Sequence, residues 1–321
     1  MSQLPSPAPR VSVIIPTYKH RDTILQTIDS VFAQTYTDYE IIVINDGSPD
    51  DTSQVLEELV SQGKINYIEQ PNAGQAAARN RGLAQATGEF IAFLDDDDLW
   101  PPDKLEWQIE FLRVSSDAVM VGGGVQIIDE RGEEVGSALT PRHAVTFETL
   151  FGGSPFFSPG QVLIRAAALR EVGGLDAELW GTDDYDLWFR LSAHGPIAAL
   201  PRLALYYRTH PANASKDTSK MFTNTLKTFE IQLQRVAPRK RRWLARRFHR
   251  WLYDYLGCQA LVKLRTQKRA AFPGVWREVP QLLYFIGPMM KDRVLLQRLL
   301  YLLTPNALQP ALRWLSKKVR F

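Results

Sequence analysis

The sequence predicts an α/β domain built on a mostly parallel, Rossmann-like sheet flanked by helices, with a basic helical extension at the C-terminal end. Three observations carry this expectation. Short β-branched runs alternate with segments of helical periodicity from residue 11 to about residue 94, the stretches between them are only a few residues long, and the charge divides sharply near residue 235. Alternating strands and helices with short connections call for right-handed crossovers, and hence for a parallel sheet covered on both faces.

Val11 to Ile15 is a β-branched run closed by Pro16, the pattern of a strand buried on both sides. Asp22 and Thr23 offer an N-cap to a helix carrying Ile24, Leu25, Ile28, Val31 and Phe32. Glu40 to Ile44 is the second strand, ending at Asn45-Asp46-Gly47. Asp50 or Asp51 then caps a helix with Val55, Leu56, Leu59 and Val60, stopped near Gly63. Ile65 to Glu69 is the third strand, Asn72-Ala73-Gly74 turns into an Ala-rich helix reaching about Ala86, and Glu89 to Leu94 is the fourth strand. Beyond Pro101 the pattern loosens: Lys104 to Val114 and Asp183 to Ala193 read as helices, and Val119 to Ile128 and Gln161 to Arg165 as strands. Residues 152 to 160, rich in Gly, Pro, Ser and Phe, read as a mobile loop.

At 321 residues, with 45% apolar and 23% charged side chains, the chain can bury a large core. It holds no run of eighteen apolar residues, so a spanning helix is not expected. Residues 1 to 10, with Pro5, Pro7 and Pro9, read as a short flexible leader, residues 11 to 234 as the α/β domain and residues 235 to 321 as a basic amphipathic helical region. The single cysteine, Cys258, excludes an internal disulfide and points to a reducing, cytoplasmic setting. The net charge of +3 conceals 18 basic against 32 acidic residues before position 235 and 20 against 3 from there on. An acidic region needs a cation to hold an anionic ligand; a basic one suits an anionic surface.

In parallel sheets ligands sit outside the carboxyl ends of the strands. Here those ends read Pro16-Thr17-Tyr18, Asn45-Asp46-Gly47-Ser48 and Asp95-Asp96-Asp97-Asp98. Four successive carboxylates at the end of an apolar strand repel one another, and a divalent cation such as Mn²⁺ or Mg²⁺ would offset them while sharing its shell with a diphosphate. In extended chain Asp95 and Asp97 would face the same way. The plainer alternative is a solvated acidic loop, against which the apolar strand Phe90 to Leu94 argues. Asp46 could accept a hydrogen bond from a nucleobase or ribose, or merely close a turn. Arg79 could pair with a diphosphate or with the acidic run, or form an ordinary exposed ion pair. No G-x-G-x-x-G follows the first strand and no G-x-x-x-x-G-K-[ST] occurs, which removes dehydrogenase and P-loop readings.

At these residues the sequence resembles family 2 glycosyltransferases of the GT-A fold. The matching text is Val11 to Tyr18, Ile42 to Ser48, Asn72-Ala73-Gly74 with Ala78-Arg79-Asn80-Arg81-Gly82, and Phe93 to Asp98, and it extends to about residue 210. The resemblance implies an inverting, metal-dependent transfer from a nucleotide sugar, with a UDP-sugar expected. It implies that Pro16, Thr17 and Tyr18 line the nucleotide pocket, that Asp46 contacts a uracil-type base, and that Asp95-Asp96-Asp97 is the D-x-D element. Asp97 would then ligate the metal, and Asp95 would touch the ribose or the phosphate. Asp183-Asp184-Tyr185-Asp186-Leu187-Trp188 resembles the family's second acidic element, with Asp183 standing where the family has Glu and Asp184 as the base. Tyr207-Arg208-Thr209-His210 resembles a segment whose histidine completes the metal site. A carboxylate base suits this chemistry, although Asp184 could instead cap a helix. Trp180 could floor an acceptor site; Trp188 reads as core.

The tail segment Arg239-Lys240-Arg241-Arg242, with Trp243, Leu244, Phe248, Trp251 and Leu252, interleaves charge and aromatics as an amphipathic helix would. An anionic membrane is the expected partner, on the inner face of the plasma membrane, alongside a nucleotide-sugar donor and a glycan or lipid-linked acceptor of cell-surface polysaccharide synthesis. A helical subdomain with solvated charges is the alternative, and no recognised nucleic-acid motif accompanies the cluster. Two rival functions are a sugar-nucleotide nucleotidyltransferase and a non-catalytic nucleotide-sugar binding module. The first would need a Gly-rich basic loop after strand one, which Pro16 to His20 does not supply.

Overall fold

The structure, a computed structural model, describes residues 11–138, 143–210, 213 and 218–266. The leader at 1–10 and the tail beyond residue 266, with its prolines from Pro273 onward, lie outside them. The chain divides into two compact units, Met1–Ala245 and Arg246–Phe321.

In the first unit the elements run β1 (Val11–Thr17), α1 (Ile24–Phe32), β2 (Tyr39–Asn45), α2 (Thr52–Ser61), β3 (Asn66–Glu69), α3 (Gln75–Gln85), β4 (Phe90–Phe93) and α4 (Lys104–Val114). There follow β5 (Met120–Ile128), β6 (Glu134–Ala138), β7 (His143–Val145), α5 (Phe147–Leu150), β8 (Val162–Arg165), α6 (Ala166–Glu171), α7 (Asp183–Leu191), β9 (Ile197–Arg208) and α8 (Thr218–Gln234). α9 (Pro238–Thr266) begins in this unit and continues into the next.

Among the described residues the strands form one sheet in the order β3-β2-β1-β4-β8-β5-β9-β7, with β6 on β5. β3, β2, β1 and β4 are parallel, as the alternation of strand and helix requires. β8 runs antiparallel between β4 and β5, and β5 and β9 are again parallel. The sheet is mixed and mostly parallel as expected, with the antiparallel strand pairs confined to β4-β8, β8-β5, β5-β6 and β9-β7. β6, β7 and β9 carried no clear sequence signal. β9 contains Pro201, and its register against β5 shifts around Gly122 and Gly124, so no single alternation runs its length.

Every residue of β1 is buried, as are Ile41 to Asn45 of β2 and all of β4. Pro16 lies inside β1 rather than ending it, but past Ile14, the last residue paired with β4. There a missing N–H breaks no bond on that side. α3 packs unusually close to β1: a Cβ on Gly82 would come within 2.4 Å of the Ile14 side chain. The long side of α4 buries Leu105, Trp107, Ile109 and Leu112 in the main core with Val121 and Leu163. The expected cap side chains at Thr23 and Asp51 make no cap hydrogen bonds. Thr23 instead donates to the Asp96 carbonyl at 2.9 Å, tying the start of α1 to the acidic run.

Much of the 152–160 segment is packed rather than open. Ser158, Pro159, Gly160 and Gln161 are buried, a short 3-10 turn spans Pro159–Gln161, and Gln161 Oε1 accepts from the Phe157 and Ser158 amides. The α9 residues of the first unit expose Arg239, Lys240, Arg241, Arg242 and Trp243 and bury Leu244. In the second unit Phe248 and Leu252 are buried while Arg246, Arg247 and Arg250 are exposed. The amphipathic helix expected from Arg239 onward is one long helix, because no proline follows Pro238 until Pro273. No helix among the described residues is long and apolar enough to cross a membrane.

Candidate active site at the carboxyl ends of the strands

β2 and β3 lie on one side of β1 and β4 lies on the other, so the chain reverses its direction of sheet growth between β1 and β4. Diverging crossovers leave a crevice at such a switch point, outside the carboxyl ends of the strands. A cleft of about 850 Å³ lies there. Tyr18, Lys19 and His20 line it from the end of β1, Gln75 and Arg79 from α3, and Asp95, Asp96 and Asp97 from the end of β4. Phe157, Ser158 and Pro159 come from the loop before β8, Asp183 and Asp184 from α7, and Arg208 and His210 from the end of β9.

The acidic run does not continue the strand. Residues 96 and 97 form a turn closed by the Asp98 amide donating to the Asp95 carbonyl at 3.1 Å. Asp95 and Asp97 reach one cleft through this turn, not through the alternation of extended chain. Each carboxylate then has its own partner. Asp95 accepts from Arg79 Nη2 at 2.5 Å and Gln75 Nε2 at 2.9 Å. Asp96 accepts from the Tyr18 amide at 3.1 Å and pairs with His20 Nδ1 at 2.6 Å. Asp97 pairs with His210 Nε2 at 2.7 Å. Asp98 is fully buried, accepts from the Arg208 amide at 2.8 Å, and burial with the neighbouring Asp97 pushes its carboxyl well above the usual range. The protein thus offsets part of the run with its own Arg79 and His20, and the need for a cation does not follow from the acidic charge alone.

Arg79, 2% exposed, lies between two acidic elements far apart in sequence, reaching Asp95 with one nitrogen and Asp183 with another at 3.1 Å. Of the readings open to it, Arg79 takes the pairing with the acidic run, and the ion pair is buried. Those carboxylates hold the guanidinium above its ordinary pKa in spite of burial. Asp183 is buried, which raises its carboxyl, while Arg79 opposes the rise. Asp184 follows as the second residue of α7. The N-cap position belongs to Thr182, so Asp184 is not a cap. Burial and the adjacent Asp183 push Asp184 up to about 7, with Arg79 pulling the other way. A carboxylate at that value takes and releases a proton near neutral pH, as a general base must.

The donor set for a divalent ion is broader than expected. One ring nitrogen each of His20 and His210 and one carboxylate oxygen of Asp97 lie within 4.8 Å of one another. Two imidazoles and a carboxylate are sound ligand chemistry for a divalent transition metal, so these residues fit the ion implied by the sequence. Asp95, held by Arg79 and Gln75, stands outside this trio. The hydrogen bond to Asp96 and the surrounding carboxylates raise His20 to about 9.

Other expected residues lie apart from the cleft. Asp46 is 3% exposed; one of its oxygens accepts from Gln70 Nε2 at 2.7 Å and the Ala73 amide at 2.9 Å, and the other from the Gly74 amide at 2.8 Å. Those bonds fix the turn in which Gly74 takes φ +89°, a conformation that favours glycine. Pro16 and Thr17 are buried in β1, and only Tyr18 of that trio reaches the cleft. Trp188 is fully buried core. Trp180 meets Lys220 Nζ at 3.7 Å from its ring and does not line the cleft. His20, Gln75 and Ser158 were missed. His20 follows a strand that ends in the ligand crevice, and that position was the available signal.

The cleft at the switch point and the order of the strands define a GT-A fold. Crystallised S. aureus TarS residues 1–349 in complex with UDP superpose with a TM-score of 0.63 over 96% of this chain and 87% of that one; at 19% identity the likeness is one of fold. The family model for glycosyl transferase family 2 matches residues 12–173, half of the sequence, and the chain belongs to that family. An uncharacterized glycosyltransferase of Rickettsia felis is 32% identical over 216 residues, 66% of this chain but only 36% of its own length. The chain thus spans about a third of that relative. A Bacillus subtilis protein provisionally named teichuronic acid biosynthesis glycosyltransferase TuaG is 42% identical over 118 residues, 36% of this chain and 46% of its own.

Proposed function

We propose that the chain is an inverting glycosyltransferase that moves a sugar from a nucleoside-diphosphate sugar, a UDP-sugar in the first instance, to a hydroxyl of a glycan or lipid-linked acceptor in cell-surface polysaccharide synthesis. The observation that carries this reading is the meeting of Asp95, Asp97, Asp184 and His210, from three separate stretches of sequence, in one cleft at the switch point. The family membership supports it, as do the UDP named with TarS and the polysaccharide named with TuaG.

In this reading residues 11 to 234 are the catalytic domain and Asp95-Asp96-Asp97 is the D-x-D element. Mn²⁺ or Mg²⁺ held by Asp97 and His210 would supply positive charge against the diphosphate that leaves. Tyr18 lines the nucleotide side of the cleft. Asp46 acts there by holding the Ala73-Gly74 turn at the start of α3, the helix that carries Arg79. Arg79 bonds to both Asp95 and Asp183 and fixes the two carboxylates relative to each other. Asp184 takes the proton of the acceptor hydroxyl as that oxygen forms its bond to the anomeric carbon and the bond to the diphosphate oxygen breaks. One carboxylate is enough for such a single displacement, which inverts the anomeric centre. A panel of nucleotide sugars with Mn²⁺ tests the donor: one of them should raise the melting temperature by mass action, and a flat response across UDP-, GDP- and dTDP-sugars would contradict the reading.

The cationic first turns of α9 suit an enzyme whose acceptor is anchored in an anionic membrane. Arg239, Lys240, Arg241, Arg242 and Trp243 are exposed together. Peripheral attachment at the inner face of the plasma membrane is the proposed location. Sedimentation with phosphatidylglycerol vesicles should carry the protein down at low salt and release it at high salt; recovery in the supernatant at low salt removes this part of the proposal.

A further inference from the structure

We infer that His20 is a third protein ligand of the divalent cation, and that the resulting set of two imidazoles and one carboxylate makes the site favour Mn²⁺ over Mg²⁺. The inference rests on the metal reading above and goes past it by adding a ligand from the end of β1 and naming the ion selected.

Four observations converge on His20. Its ring nitrogen lies within 4.8 Å of ligand atoms on both Asp97 and His210. Metal–ligand distances of about 2.1 Å set two ligands of one ion about 3 Å apart at right angles and about 4.2 Å apart across it, so small side-chain movements close the trio. The other side of the ring is already fixed. Nδ1 pairs with Asp96 at 2.6 Å, which commits that nitrogen and leaves Nε2 for an ion, its proton being released on binding. A carboxylate behind a histidine is the usual device for setting the tautomer and raising the basicity of a metal ligand.

The backbone is also bent to this end. Lys19 takes φ +65°, alone among the described non-glycine residues in the left-handed region, which L side chains adopt only under strain. The residues on either side of it, Tyr18 through its amide and His20 through its ring, both bond to the Asp96 carboxylate. The strained turn therefore delivers His20 to the end of β4 rather than letting it follow the chain into α1. Selectivity follows from the donors. Mg²⁺ gives up its waters reluctantly and keeps to oxygen ligands, whereas Mn²⁺, a first-row transition ion, exchanges water for imidazole nitrogen at less cost.

Calorimetric titration of the whole protein with MnCl₂ alone, and separately with MgCl₂ alone, tests this. Mn²⁺ should bind at least about tenfold tighter than Mg²⁺, and His20→Ala should weaken Mn²⁺ by about tenfold or more with little change for Mg²⁺, while Asp96→Asn weakens Mn²⁺ by about tenfold. Pulsed electron paramagnetic resonance of bound Mn²⁺ should detect coupling to two imidazole nitrogens in the wild type and to one in His20→Ala. His20→Asn, which retains a donor for Asp96, should lose the same coupling while keeping the wild-type melting temperature. Unchanged Mn²⁺ affinity and unchanged nitrogen coupling in the His20 variants overturn the inference. If Asp97→Asn abolishes Mn²⁺ uptake in the same series, the metal reading survives that result; no uptake by the wild type overturns both.

Discussion

Asp184→Asn is expected to lower sugar transfer by about 10³-fold while leaving donor affinity within a factor of about two, because the amide keeps the shape of the side chain but cannot take a proton. The wild-type rate should have an acid limb governed by Asp184, which burial and Asp183 push up to about 7. The base works only when ionised. Activity is therefore full above pH 7 and falls about tenfold per pH unit below it. Steady-state rates across pH 5 to 9 check both statements, and a fully active Asp184→Asn enzyme would remove Asp184 from the reaction.

Arg79→Ala is expected to be the most destabilising single change at the site. The guanidinium is 2% exposed and sits between Asp95 and Asp183, so its removal leaves two carboxylates facing each other with no partner between them. Breaking a buried pair in this way costs about 3–5 kcal/mol, or on the order of 10 °C in melting temperature for a domain of this size. Arg79 also draws the Asp184 carboxyl downward. Whatever activity the variant retains should have its acid limb at higher pH than the wild type. A melting temperature within about 2 °C of wild type would show that Arg79 is dispensable to the fold.

The first half of the fold was legible because β1, β2 and β4 are largely buried on both faces and the helices on one, which leaves apolar runs and periodicity in the sequence. β1, β2 and β4 appear as apolar runs, and Lys104–Val114 as a helix with both bounds correct. The second half was less legible for a physical reason. β6 is a largely exposed edge strand and β9 is broken by Pro201 and by register shifts against β5, so neither keeps a period of two. The carboxylates of the site could be located by their position at strand ends, but their roles depend on contacts between distant segments. Nothing local to Asp46 indicates that the amides of Ala73 and Gly74 occupy it, and nothing local to Arg79 indicates that Asp183 lies 104 positions away at 3.1 Å. His20 was hidden by the same limit: a histidine after a strand acquires meaning only when Asp96, Asp97 and His210 surround it.

In the proposed reaction, acidic and imidazole groups from separate stretches hold one divalent ion against a nucleoside diphosphate. Calorimetric titration of UDP into the protein, once with Mn²⁺ and once after chelation, measures this coupling directly. UDP should bind at least about tenfold tighter with Mn²⁺ present, and Asp97→Asn should abolish that gain. Equal UDP affinity with and without the ion, or a gain that survives Asp97→Asn, would contradict the account.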